Sequence, residues 1–366
     1  MATVIDLFSG IGGLTAGFAA EGIGLEVAVD SEPRVLAQLG KNAACGASAL
    51  RCATLRSDDA DWTTTTRLPA PRRGLHYHAS SPCTLLSHAR SIVEDDGAAQ
   101  KEGLALFRAA LEAPLLRGDA TYTLEQVPNR HAVALVVAFE AAFPDRVAHA
   151  VLDAADLGCP SSRKRLIVGD VATIRALVRQ PRSRASIDAA FRANGLAVPA
   201  GTVSVSVSRG AKVVAAGKRR CLTDIAPTIC ASTPLIFTDQ EGKSLGCLSP
   251  RHSAALMGFG REWQLPTKSR EAQRAVGNAI PIPLSRCMAR AVKVALAETS
   301  AQRTQRISKE RLQCIEARSA LNERAAHSAV PQQRAAHSTD RLGLLNDLEE
   351  TLRIAQDTVK RLRTLL

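Results

Sequence analysis

A cysteine directly after a proline, Pro82-Cys83, is the group in this sequence best placed to react. It lies in the stretch 79–90, Ala-Ser-Ser-Pro-Cys-Thr-Leu-Leu-Ser-His-Ala-Arg, just after a short run, 74–78, that reads as the end of a strand. Proline fixes φ, and a loop at a strand end exposes the sulfur. Cysteine is nucleophilic even when only a small fraction is thiolate. A lone Pro-Cys is more often a half-buried structural cysteine, so its neighbours must decide. Glu125 closes a short strand, 121–124, before Gln126-Val127-Pro128. It is either a plain turn acid or, at the C-terminal edge of a sheet, a site acid. Arg163 and Arg165 stand two apart in the run Ser161-Ser162-Arg163-Lys164-Arg165 and share a side in extended chain.

The elements that must position these groups begin at the N-terminus. Residues 3–9 read as a buried strand, Gly10-Ile11-Gly12-Gly13 as a tight turn, and 14–20 as a helix. Strand, glycine turn and helix make the first unit of a doubly wound α/β sheet. The glycines let a ligand approach the backbone, and the helix N-terminus favours a negative group. A second strand, 25–29, ends in Asp30, about twenty residues on, where an acid suits a ribose diol. The spacing is not Gly-x-Gly-x-x-Gly, which favours a nucleoside cofactor without a pyrophosphate. The aspartates of 57–61 read equally as a contact to an adenine amino group and as a solvated turn.

Net charge is +12, and most of the excess lies between Arg163 and Arg220, with ten Arg and three Lys against two Asp. Such a segment is either a solvated basic face or a surface for a polyanion, nucleic acid first. The 46% hydrophobic content supports a full core. No apolar run reaches transmembrane length and no leader precedes Thr3, so no membrane is expected. The nine cysteines form no Cys-x-x-Cys pair, so zinc is not expected, and the odd count fits a reducing, intracellular compartment. Beyond 299 the composition turns to Arg, Glu, Gln, Ala and Leu. Leu345, Leu348, Leu352, Ala355, Val359, Leu362 and Leu366 alternate steps of three and four. This is a coiled-coil seam that either pairs with a second copy, giving a homo-oligomer, or packs back on the same chain. Removing 299–366 is expected to leave the catalytic fold intact.

Five blocks in order carry a resemblance: Asp6-Leu7-Phe8-Ser9-Gly10-Ile11-Gly12-Gly13, Pro82-Cys83, Glu125-Gln126-Val127, Ser161-x-Arg163-x-Arg165 and Gly277-Asn278-Ala279-Ile280-Pro281. Together they resemble the cytosine-5 DNA methyltransferases, over residues 3 to about 297. The resemblance implies a doubly wound Rossmann-like S-adenosylmethionine methyltransferase domain, 1–170 plus 266–298. It further implies a small basic target-recognition domain, 171–265, and leaves 299–366 as a helical hairpin or coiled-coil tail outside the match.

It implies Cys83 adding to C6 of a flipped cytosine, Glu125 at N3 and the exocyclic amine with burial raising its pKa, and Arg163 and Arg165 as supporting cations. Arg165 would help form the Cys83 thiolate. Asp6, Phe8, Ser9, Gly10, Gly12, Gly13, Asp30, Pro82 and Asn278 would hold S-adenosylmethionine. The partner would be double-stranded DNA, in the cytoplasm of a bacterium, where a restriction-modification role is open, or the nucleus of a eukaryote. One branch of the family acts on tRNA, and the absence of its Cys-Phe-Thr signature favours DNA. Thr84, Gln126 and Ser161 stand where the family has Gln, Asn and Gln, and Ser31 where it often has an aromatic. A non-catalytic DNA-binding subunit is therefore the competing reading.

Overall fold

A computed structural model describes residues 1–43, 47–58, 62–82, 86, 97–200, 204–209, 212–213, 219–298, 353, 356, 357, 359 and 360. Cys83, expected from the sequence to be the nucleophile, lies with Thr84 outside the described residues, as do Asp59, Asp61 and most of 299–366.

Chain order is β1 (Thr3–Leu7), α1 (Gly13–Ala20), β2 (Gly24–Asp30), α2 (Pro33–Asn42), β3 (Leu50–Cys52), α3 (Trp62–Thr66), β4 (Leu75–Ala79), α4 (Gly97–Arg117), β5 (Thr121–Gln126) and α5 (Arg130–Ala142). Then come β6 (Ala148–Asp153), β7 (Lys164–Gly169), α6 (Val171–Val178) and α7 (Ile187–Ala193). The main sheet has the order β3-β2-β1-β4-β5-β7-β6. β1 to β5 run parallel, as the alternation of apolar strands and helices predicts. β7 departs from the expected parallel arrangement and runs antiparallel to both β5 and β6. The short β6–β7 connection explains this, because a parallel return needs a crossover of a dozen residues or more. The strand order reverses between β1 and β4, so both strands present their C-terminal ends at the switch point, where open α/β sheets bind ligands.

The two outermost blocks of the resemblance meet at one packing junction. A Cβ on Gly13 would collide with the Ile280 carbonyl oxygen, and one on Gly277 with the Ala231 backbone. Ser285 Oγ donates to the Leu14 carbonyl (2.7 Å), joining α1 to the later helix Ile282–Ala297. Gly13→Ala is therefore expected to cost about 1–3 kcal/mol, because backbone rather than a flexible side chain blocks the methyl group. Chemical denaturation measures this, and an unchanged midpoint would contradict the tight contact.

The second sheet is built from β8 (Ser204–Arg209), β9 (Lys212–Val213), β10 (Arg220–Cys221), β11 (Leu235–Thr238) and β12 (Ser244–Cys247), in the order β10-β8-β11-β12 with β9 on β8. Three helices follow: α8 (Pro250–Leu256), α9 (Ser269–Asn278) and α10 (Ile282–Ala297). One buried cluster joins Val205, Leu235 and Phe237 of this sheet to α7, α8, Val276 and Ile11 of the glycine turn. Residues 171–178, placed by the sequence at the start of the recognition part, form α6. Its Ile174 and Leu177 share a core with Val4, Ile167 and α10, so they belong to the main sheet's layer.

In the C-terminal stretch, Arg353, Gln356, Asp357, Val359 and Lys360 are helical. Val359 is buried in the cluster that holds Trp62, Leu86 and Phe107. That residue of the seam packs on its own chain, so removing 299–366 takes a buried side chain from the main core and leaves it less intact than the sequence suggests.

Candidate active site

The sequence-expected acid sits at the C-terminal end of β5. Glu125 is 6% exposed, and its Oε1 forms an ion pair with Arg165 Nε from β7. Register explains the pairing, since Glu125 lies opposite Ile167 on the antiparallel neighbour and Arg165, two residues from Ile167, shares its face. A guanidinium thus lies against this buried acid. Arg165 also donates from Nη1 to the Lys164 carbonyl (2.7 Å). Its charge is matched by Glu125.

The residues after Glu125 grip both sides of the Cys83 loop. Gln126 is fully buried, and its Nε2 donates to the Ser81 carbonyl (3.2 Å) and contacts Ser81 Oγ (3.1 Å). Its Oε1 accepts from the Val127 amide (2.8 Å). Beyond the loop, Asn129 Nδ2 donates to the carbonyl of the buried Leu86 (2.9 Å). The Gln126 amide thus donates and accepts at once, a use open to either carboxamide. Pro82 is exposed between these anchors.

Arg163 does different work from Arg165. Its Nη1 donates to the Ile229 carbonyl (3.1 Å) and its Nη2 to the Gly277 carbonyl (3.0 Å), while its amide donates to Asp153 Oδ1 (2.8 Å). Two apart in sequence, the arginines reach different structures: Arg165 the acid, and Arg163 the junction of α9 with the 229–231 segment. Ser161 Oγ donates to the Leu256 carbonyl (2.8 Å), fixing the same loop to α8. Asn278 is exposed at the last position of α9. Both arginines are buried. The exposed Arg182 and Arg184 share Asp156, and Arg192 pairs with Asp188, so the basic face is weaker than its sequence count.

At the glycine turn, Phe8 has φ 61° and Gly10 φ 54°, left-handed values that glycine adopts without strain and phenylalanine does not. The Gly10 amide donates to Asp30 Oδ2 (2.9 Å), and the Glu32 amide to Asp30 Oδ1 (3.0 Å). Each Asp30 oxygen keeps a lone pair for a further donor. Space beside Gly10 is open where a Cβ would point, and the buried Ser9 Oγ has no partner among the described residues. Trp62, which the sequence reading did not single out, meets Phe8 edge-on with centroids 5.8 Å apart. As one of two tryptophans it was a visible signal.

Asp6 is buried and accepts from Thr15 Oγ1 (2.8 Å). Burial pushes its pKa from 3.8 up to about 7, with Asp30 adding to the rise and Thr15 opposing it. The folded protein then holds a proton that the unfolded chain has lost between about pH 4 and about pH 7, so stability falls as pH rises through that window and is level above it. Asp6→Asn keeps an oxygen for Thr15 and cannot ionise. The wild-type melting temperature should drop relative to this variant over the window, and parallel curves would contradict a buried neutral acid.

No family model matches the chain. A 65-residue stretch is 34% identical to the type II methyltransferase M.NlaX of Neisseria lactamica, covering 18% of this chain and 21% of that protein. The match thus spans about a fifth of that relative's length. A DNA modification methyltransferase encoded within an E. coli prophage superposes at a TM-score of 0.57 and 14% identity, over 81% of this chain and all of the other. This chain and that methyltransferase share a fold. The Dnmt2 methyltransferase of S. pombe superposes at a TM-score of 0.49, with 13% identity over 81% of this chain and 98% of the other. Among the described residues no helix is long and apolar enough to cross a membrane.

Proposed function

We propose that this chain is a DNA (cytosine-5)-methyltransferase that uses Cys83 as its nucleophile. One observation carries the reading. Glu125, paired with Arg165, is followed by Gln126 and, four residues on from Glu125, by Asn129, whose amides hold Ser81 and Leu86 on either side of Cys83 in sequence. An acid and the anchors of a nucleophile loop on one strand end can work on one small ring.

The residues at the switch point fit S-adenosylmethionine. Ser9 Oγ lacks a partner among the described residues, Gly10 leaves a cradle open, and Asp30 retains acceptor capacity for a ribose diol. Asp6, Phe8, Gly12, Gly13, Pro82 and Asn278 complete the proposed binding set. When bound, the cofactor supplies an electrophilic methyl group to C5 of cytosine. Cytosine C5 is a poor nucleophile, so the Cys83 thiolate first adds to C6. Glu125 hydrogen-bonds N3 and the exocyclic amine, and stabilises charge that develops during addition. Arg165 orients the carboxyl group, and Arg163 holds α9 and the 229–231 segment. Loss of the C5 proton then expels Cys83 and restores the aromatic ring. The target base must leave the helix to reach Cys83.

Residues 179–265, with β8–β12 and the basic run around Arg219 and Arg220, are assigned to target recognition. Phosphate contacts from such cations give affinity rather than sequence information. The test is transfer of a labelled methyl group to unmethylated duplex DNA and to unmodified tRNA, with Cys83→Ala as control. Label in DNA that the control abolishes is the expected result. Label in tRNA alone overturns the substrate, and DNA binding without label in either favours the binding-subunit reading.

A further inference from the structure

Two histidines that the methyl-transfer mechanism does not use lie on one face of β4. His76 and His78 are fully buried, as is Thr123 across on β5. His76 Nε2 lies 2.9 Å from Thr123 Oγ1, and His78 Nδ1 lies 2.8 Å from the same oxygen. The other nitrogen of His78, Nε2, lies 2.7 Å from Ser80 Oγ. Four side chains therefore form an unbroken line that ends two residues before Pro82.

The line can run in only one direction at low cost. Thr123 has one hydroxyl proton, so it donates to one ring and accepts from the other. His76 Nδ1 is buried with no partner among the described residues. A proton there would be an orphaned buried donor, at a cost of about 1–3 kcal/mol. The proton of His76 therefore sits on Nε2 and is donated to Thr123. Thr123 donates to His78 Nδ1, which leaves the His78 proton on Nε2, donated to Ser80 Oγ. Ser80 Oγ has no other partner among the described residues, so its own proton remains to be given outward.

Both rings stay neutral in this arrangement. Burial holds His78 down to about 3 and His76 well below the usual histidine range, with His78 adding to the effect on His76. The one acid opposite in register, Asp6 on β1, is engaged by Thr15.

We propose that His76, Thr123 and His78 form a buried one-way relay that fixes Ser80 as an outward hydrogen-bond donor at the root of the Pro82-Cys83 loop. His78 and Ser80 are then positioning residues for the reaction at Cys83, and this role rests on the methyl-transfer reading. Ser80 is held by the relay and Ser81 by Gln126, so two consecutive residues ahead of the nucleophile are fixed from separate strands. A loop fixed in this way keeps its reactive atom in attack geometry, and small misplacements there cost large factors in rate.

Long-range proton–nitrogen correlation spectra of the histidine-labelled full chain test the relay directly, with His→Gln variants for assignment. Both rings should be neutral Nε2–H tautomers from about pH 5 to about pH 9, outside the window where a free histidine titrates. A proton on His78 Nδ1, or an imidazolium at either residue, overturns the relay. In methyl-transfer assays Ser80→Ala should lower kcat about 10- to 100-fold, with cofactor Kd unchanged and Ser80→Thr restoring most of the rate. Wild-type kcat in Ser80→Ala, or no rescue by threonine, overturns the positioning role. A wild-type chain that methylates neither DNA nor RNA sinks the methyl-transfer reading instead, and the tautomers still decide the relay.

Discussion

Replacing Glu125 with Gln should slow methyl transfer by about 10²- to 10⁴-fold, the range for loss of a positioned acid–base group. The amide keeps an oxygen for Arg165, so the buried guanidinium retains a neutral partner. It loses the carboxylate that matched its charge, and removal of one member of a buried pair costs about 3–5 kcal/mol when nothing replaces it. Glu125→Gln should therefore melt lower than wild type yet remain folded by circular dichroism, and cofactor binding by calorimetry should survive. Unchanged turnover would remove Glu125 from the chemistry and leave the ion pair as a structural clasp between β5 and β7.

Arg163→Ala should be the more destabilising change. It deletes donors to the Ile229 and Gly277 carbonyls, which lie in a buried setting. Each unsatisfied buried carbonyl costs about 1–3 kcal/mol, so a total of about 2–6 kcal/mol is expected for the two. At about 2–4 °C per kcal/mol for a domain of this class, the melting temperature should fall by roughly 4–24 °C. Lysine should not rescue it, because one ammonium on a flexible stem lacks the planar fork that spans two acceptors. Methyl transfer should fall in step with loss of the α9 junction. A stable, inactive Arg163→Ala would instead place this residue at the substrate.

Residue types made the strand ends that carry the candidate residues legible. Glycine turn, Asp30, Pro82 and Glu125 all fall at the C-terminal edge of β1, β2, β4 and β5, because a parallel sheet puts strand ends on one side. The reversal of β7 was not legible, since Gly158-Cys159-Pro160 reads as an ordinary loop and pairing is decided by distant strands. Arg163 looked like a site cation because its partners lie 66 and 114 residues away in sequence. Gln126 looked like a departure from the family pattern, yet its longer amide reaches Ser81 from β5. Gly277 could be recognised from its block, but its reason, the Ala231 backbone at its Cα, belongs to tertiary packing. The histidine line was hidden for the same cause: His76 and His78 alternate as any strand would, and only the register with Thr123 joins them.

The proposed mechanism passes through a covalent bond between Cys83 and C6 of a cytosine. Duplex DNA carrying 5-fluorocytosine tests it most directly, because fluorine at C5 cannot leave as a proton and the adduct persists. Mass spectrometry of the denatured protein after incubation with this DNA and S-adenosylmethionine should find the oligonucleotide attached at Cys83, and none on Cys83→Ala. An adduct-free wild-type chain that still methylates ordinary DNA at C5 would contradict the account.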